Sequence, residues 1–111
     1  MSGLRFALDP ALEPIHQPVR LQLMALLFRE RDVGFAQARD LLGVTDGNLG
    51  SHAKVLEGLG YLESRRVLVR GGFQFRYQVT EAGSAAFQAY LAALNAFLGA
   101  VGTAQHGLAR A

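Results

Sequence analysis

The sequence predicts a mainly α-helical chain with one small β-hairpin, an α+β arrangement closed by a long apolar helix. Three observations predict it. Between Phe35 and Leu59, apolar residues recur at helical spacing in two short runs separated by Gly43. From Tyr61 to Val79 the period changes to alternation around Gly71-Gly72, a strong hairpin signal because glycine adopts the positive φ of tight hairpin turns at no steric cost. Between Glu81 and Arg110 there is no charged residue, and apolar side chains keep a helical rhythm.

Taken in chain order, Asp9-Pro10 and Gln17-Pro18 read as helix starts, with proline at the first position where its missing amide costs nothing. The second start leads into Val19 to Phe28, a helix so apolar that it belongs at the centre of the core. Arg29 to Asp32 marks an exposed end, and Val33 suits a short strand against the hairpin. Phe35, Ala38, Leu41 and Leu42 form the next helix, which Gly43 stops. Thr45 opens the following one as an N-cap, and Asp46 favours the positive end of its dipole. Leu49, Ala53, Leu56 and Leu59 fall on one stripe of that helix, while Gly47, Gly50, Ser51, Lys54 and Gly58 fall opposite. A face without bulk can approach another surface closely, and Asn48, Ser51, His52 and Lys54 supply donors there for bases or phosphates.

If Gly71-Gly72 is the loop, one hairpin face carries Arg65, Val67, Val69, Gln74, Arg76 and Gln78, and the other Arg66, Leu68, Arg70, Phe73, Phe75 and Tyr77. Between Ser64 and Thr80 there are four arginines and no acid, so the hairpin is far more basic than a chain of net charge +2. In the last helix, Thr80 to about Val101, Phe87, Leu94 and Val101 repeat every seven, with Tyr90 or Leu91 and Phe97 or Leu98 between them. That makes two apolar seams. A chain of this size covers one, and the other is expected to meet a second copy about a two-fold axis.

The run Leu42-Gly43-Val44-Thr45-Asp46-Gly47-Asn48-Leu49, with Ser51-His52, Leu56-Glu57 and Gly60-Tyr61-Leu62-Glu63 after it, resembles the small winged-helix transcriptional regulators related to the MarR and ArsR repressors. His16 to Leu21 before it and Tyr77 to Gly83 after it fit the same pattern, so the resemblance covers residues 8–98. It implies a winged helix-turn-helix fold and a homodimeric DNA-binding regulator. Two positions depart from the pattern: Gly50 stands where serine is frequent, removing a phosphate contact, and Ala53 where leucine is frequent, thinning the core.

The expectation is one domain over residues 1–111, with N-terminal helices at 8–34, the helix-turn-helix at 35–59, the wing at 61–79 and a dimerisation helix at 80–102. Its 111 residues and 50 % hydrophobic content suit a single domain. The expected function is sequence-specific binding of double-stranded DNA at a pseudo-palindromic operator, as a repressor. The residues assigned to DNA are Arg39, Thr45, Asn48, Ser51, His52, Lys54, Arg65, Arg66, Arg70 and Arg76. Those assigned to the dimer are Phe87, Tyr90, Leu91, Leu94, Phe97, Leu98 and Val101.

Quieter alternatives stand beside several of these. The hairpin arginines also suit an edge that charge protects from strand addition. Lys54 suits a plain surface position, His52 a packed position, Asn48 a role in the helix start, and Arg39 pairing with Asp40 or Asp46. Phe73, Phe75 and Tyr77 read as hairpin packing rather than a base-stacking platform. His16 and His106 read as structural or incidental, the loose segments as the first few residues and the tail from Gly102. Zero cysteines exclude thiolate metal sites, disulfides and thiol sensing, and three separated histidines predict no metal. No cofactor is expected, and a small-molecule effector stays open. No nucleophile stands beside a base and no phosphate loop follows a strand, so catalysis is not expected. Met1 to Leu12 lacks a sustained apolar run, which predicts a cytoplasmic location. Gln88 and Asn95 interrupt the last helix, and flanking anchors are missing, which argues against a membrane span. The alternative function is a winged-helix protein-interaction module that no longer binds DNA.

Overall fold

Proline placement shapes the start of the chain in the computed structural model, which describes residues 4–102. Asp9 caps a short 3-10 segment, Pro10–Ile15, and accepts a hydrogen bond from the Ala11 amide. An α-helix is not formed there because Pro14 sits inside the segment without an N–H to donate. Helix α1, Pro18–Glu30, follows, with the Gln17 side chain accepting from the Arg20 amide at 2.8 Å. Leu23, Met24, Leu26 and Leu27 of α1 are buried, so this apolar helix is central, as expected. Each such side chain contributes roughly 1.5–3 kcal/mol through burial. The helix ends at Arg31, which holds φ at +73°, a conformation unfavourable for any side chain with a Cβ.

Strand β1, Asp32–Gly34, places Val33 in the core and leads directly into α2, Phe35–Leu42. Leu41 lies on the outer side of α2 and is exposed, unlike Phe35 and Ala38, which pack inward. Gly43 adopts the left-handed conformation and its amide returns to the Arg39 carbonyl at 2.9 Å. Helix α3, Asp46–Gly58, buries Leu49, Ala53 and Leu56. Leu59, at its C-cap, is half exposed.

Strands β2, Leu62–Val69, and β3, Gly72–Val79, form the wing, and β1 joins the far side of β3 to give an antiparallel sheet of order β1-β3-β2. The loop is Arg70-Gly71 rather than Gly71-Gly72: Gly72 already pairs with Val69, and Gly71 carries φ +93°. Pairing therefore slips by two residues from the expected register. Because side chains alternate with period two, every strand residue keeps its expected face.

Helix α4, Glu81–Gly102, starts on the Thr80 hydroxyl, which accepts from the Gly83 amide at 2.9 Å and donates to the Gly60 carbonyl. Its first half packs on the body through Gly83, Ala86, Phe87 and Tyr90. Phe87 and Tyr90 are thus covered within the subunit rather than facing outward, which corrects their assignment to an intersubunit surface. His16 is structural: its Nδ1 lies 2.8 Å from the Tyr90 hydroxyl, and Phe6 packs between His16 and Phe97. His106, residues 1–3 and residues 103–111 lie outside the described residues, while Gly102, expected to begin the loose tail, closes α4.

Candidate nucleic-acid interface

Helix α3 and the wing flank one open cleft of about 330 Å³, lined by Gly50, Ala53 and Lys54 on one side and Ser64, Phe75 and Tyr77 on the other. Two contacts set the distance between these walls. Glu57 of α3 accepts from both the amide and the hydroxyl of Ser64, at 3.3 and 2.8 Å, which ties the base of β2 to the helix. Tyr77 is buried with its ring 5.9 Å from Phe35, and burial, then the Glu57 charge, push its hydroxyl pKa upward.

The start of α3 is built as its sequence predicts. Thr45 Oγ1 accepts from the Asn48 amide at 3.1 Å. Because Thr45 carries the cap, Asn48 contributes its backbone alone, and its side chain stands exposed with those of Ser51 and Lys54. His52 is half-buried and receives a hydrogen bond from Arg20 Nη1 at 3.0 Å on Nδ1. A guanidinium can only donate, so Nδ1 is the acceptor and the imidazole proton sits on Nε2. Packing and donation, the two alternatives for His52, are therefore compatible in one tautomer.

The basic side chains divide into two classes. Arg39 bridges Asp40 at 2.9 Å and Asp46 at 3.0 Å, pairings that raise its pKa further. In the wing, Asp32 of β1 holds Arg76 and Arg65 together, the latter at 3.0 Å. Burial opposes the charge on Asp32, but hydrogen bonds and attraction from Arg76 and then Arg65 outweigh it and hold its pKa below the ordinary value. Arg66 and Arg70 are different. Among the described residues neither is ion-paired; Arg66 lies over the Phe73 ring, 4.7 Å from its centre, and Arg70 occupies the exposed loop.

Sequence reasoning missed three residues that organise this surface: Asp32, Arg20 and Glu57. Asp32 is opposite Gln78, hence on the arginine face, but the signal emerges only once β1 is paired with β3. Tyr77 packs as expected, whereas Phe73 and Phe75 do not: both are more than half exposed, because the strands outrun the helices that would cover them.

A family model described as a winged helix DNA-binding domain matches residues 19–98. The uncharacterized protein MJ0432 of Methanocaldococcus jannaschii is 33 % identical over 73 residues, 66 % of this chain and 79 % of that protein. Among solved structures, a transcriptional regulator homologue from Pyrococcus horikoshii OT3 superposes with a TM-score of 0.76 at 29 % identity, over 80 % of this chain and 88 % of its own. The YusO protein of Bacillus subtilis has a TM-score of 0.65 at 18 % identity, over 79 % of this chain and 64 % of its own, a likeness of fold. The match over most of the chain, on a helix-turn-helix followed by a two-stranded wing, places this protein in the winged helix DNA-binding domain family.

Proposed function

We propose that the chain is a homodimeric, sequence-specific DNA-binding transcriptional regulator of the repressor type. The observation that carries this reading is the outer face of α3, where Asn48, Ser51 and Lys54 stand exposed beside Gly47 and Gly50, next to a wing whose Arg66 and Arg70 have no ion pair among the described residues. In this reading α3 enters a major groove, Asn48 and Ser51 face base edges, and Lys54, His52 Nε2 and Arg70 meet the backbone, with the loop reaching the neighbouring minor groove. Arg39, Arg65 and Arg76 contribute by exchanging a carboxylate for a phosphate.

Dimerisation is supported by the second half of α4. An 18-residue window of this helix has mean hydropathy 1.4 and is only 17 % buried, and Leu98 and Val101 are exposed. By length and composition α4 is also able to cross a membrane, but Gln88 and Asn95 and its packed first half favour a second copy, with Leu91, Leu94, Phe97, Leu98 and Val101 as the seam. Two-fold pairing sets half-sites about one helical turn apart, roughly 34–36 Å. If three or four basic side chains per subunit meet phosphates, log K falls with log salt with a slope of about −5 to −7.

The test combines sedimentation with salt-dependent binding to a random duplex library. A dimer whose duplex binding has that slope is the expected result; a monomer, or a slope near zero, overturns the reading. Carboxylates already hold Arg39, Arg65 and Arg76, which favours as second reading an interaction module that has lost DNA. It predicts no salt-released retention on heparin and a stable hetero-complex instead.

A further inference from the structure

Three large apolar side chains on one face stand uncovered toward the end of the wing: Leu68 is 75 % exposed, Phe73 63 % and Phe75 56 %. Leu68 and Phe73 are cross-strand partners, and Phe75 pairs with Arg66 on the same face. Nearer the body, that face buries Leu62 and Tyr77. The core side of the sheet thus continues past its helices, with Phe73 four residues beyond Tyr77, about 13 Å at strand rise. An apolar cluster of this kind at a hairpin end marks a contact surface.

Its surroundings select the occupant. Arg66 lies across the Phe73 ring and Arg70 fills the loop, both without a carboxylate partner among the described residues. An apolar protein surface covering Leu68 and Phe73 would desolvate two cations without compensation. The minor groove provides carbon-rich sugar edges and separable base steps between two rows of phosphates, which satisfies both the rings and the charges. The cleft beside α3 runs directly into this face through Phe75. A minor groove about 6 Å wide is too narrow for a hairpin end, so entry requires the groove to open.

We propose that Leu68 and Phe73 form an apolar wedge that opens the minor groove next to the α3 contact and bends the duplex, with Arg66 and Arg70 on the flanking phosphates. The inference rests on the duplex-binding reading and deepens it. The wedge adds selectivity without base hydrogen bonds: pyrimidine–purine steps, which unstack most easily, are favoured under the wing, and stiff A-tracts are disfavoured.

The test uses the full chain and two 30-base-pair duplexes with dyes at both ends, one carrying TA and CA steps and one an A-tract. Wild type is expected to shorten the end-to-end distance of the first and to bind it more tightly than the second. Changing Leu68→Ser and Phe73→Ser together is expected to lower affinity about tenfold or more, abolish the bend and leave the salt slope unchanged. Arg70→Ala is expected to lower the slope by about 1 per subunit, about 2 for the dimer, and keep the preference between duplexes. Since both wedge side chains are exposed, the double variant is expected to melt at the wild-type temperature. A double variant with wild-type affinity and bend overturns the wedge while duplex binding stands. If DNA-free sedimentation changes in that variant and affinity does not, the tip contacts protein and the wedge is likewise overturned. A wild-type chain that binds neither duplex removes the DNA reading and the wedge with it.

Discussion

Gly83→Ala probes a close backbone approach between α4 and the turn after α3. Gly83 is buried in the first turn of α4, and a Cβ built on it would stand 1.9 Å from the Tyr61 carbonyl oxygen, 2.7 Å from its carbon and 3.0 Å from its Cα. Carbon and oxygen rest at about 3.3–3.6 Å, so the helix start must retreat by about 1.5 Å. The obstacle is backbone, which cannot rotate aside. Retreat stretches two bonds that anchor α4 to the end of α3: Thr80 N–H to the Tyr61 carbonyl at 3.2 Å, and Thr80 Oγ1 to the Gly60 carbonyl at 2.6 Å. Overpacking costs about 1–3 kcal/mol, and each of the two weakened bonds about 1 kcal/mol. Alanine's better helix propensity returns about 1 kcal/mol. The net is a loss of about 2–4 kcal/mol, a fall in Tm of roughly 10–25 °C for a domain of this size. Thermal and urea unfolding of both proteins at equal concentration measures it. An unchanged or raised Tm would refute the reasoning, because propensity would then outweigh a contact that does not exist.

Asp32 gives a pH prediction. Its pKa is lowered on folding, so the stabilisation it provides is present above the ordinary carboxylate value of about 3.9 and is lost as pH falls through the lower folded value. Urea midpoints should therefore drop less between pH 5 and pH 2 in Asp32→Asn than in wild type; equal drops would show that the carboxylate is not clamped. In the same variant, release of Arg65 and Arg76 should steepen the salt slope of duplex binding by up to about 2 per subunit, measured by anisotropy. Arg31→Gly removes a side chain from a positive-φ position while keeping the backbone carbonyl that accepts from Val79. It should stabilise by about 1 kcal/mol, seen as a rise in Tm of several degrees. Thr45→Ala deletes the α3 cap and should cost about 1 kcal/mol in urea unfolding.

Local chemistry is what a linear pattern reports best. The stop at Gly43, the cap at Thr45, the buried stripe of Leu49, Ala53 and Leu56, and the strand at Val33 all depend on neighbours within a few positions, and all were legible. The hairpin loop was displaced by one residue, yet faces were preserved because a slip of two in pairing leaves the alternation intact. The outer face of α3 was likewise legible, since helical spacing alone separates Asn48, Ser51 and Lys54 from the core stripe.

Long-range placement decided the rest. The hairpin segment contains arginines and no acid, but Asp32, 33 residues before Arg65 and 44 before Arg76, arrives through β1-β3 pairing and divides those arginines into held and unheld. Phe73 and Phe75 share the alternation of Tyr77, and only the reach of the helices determines that the last is buried and the first two are not. Phe87 and Tyr90 share a heptad with Leu98 and Val101, and only the length of the body beneath α4 separates core from open seam. By itself the sequence determined which elements form, because propensity, caps and periodicity act along the chain. Tertiary structure decided which charges are neutralised and which apolar faces stay open, because ion pairing and burial depend on residues that only folding makes neighbours.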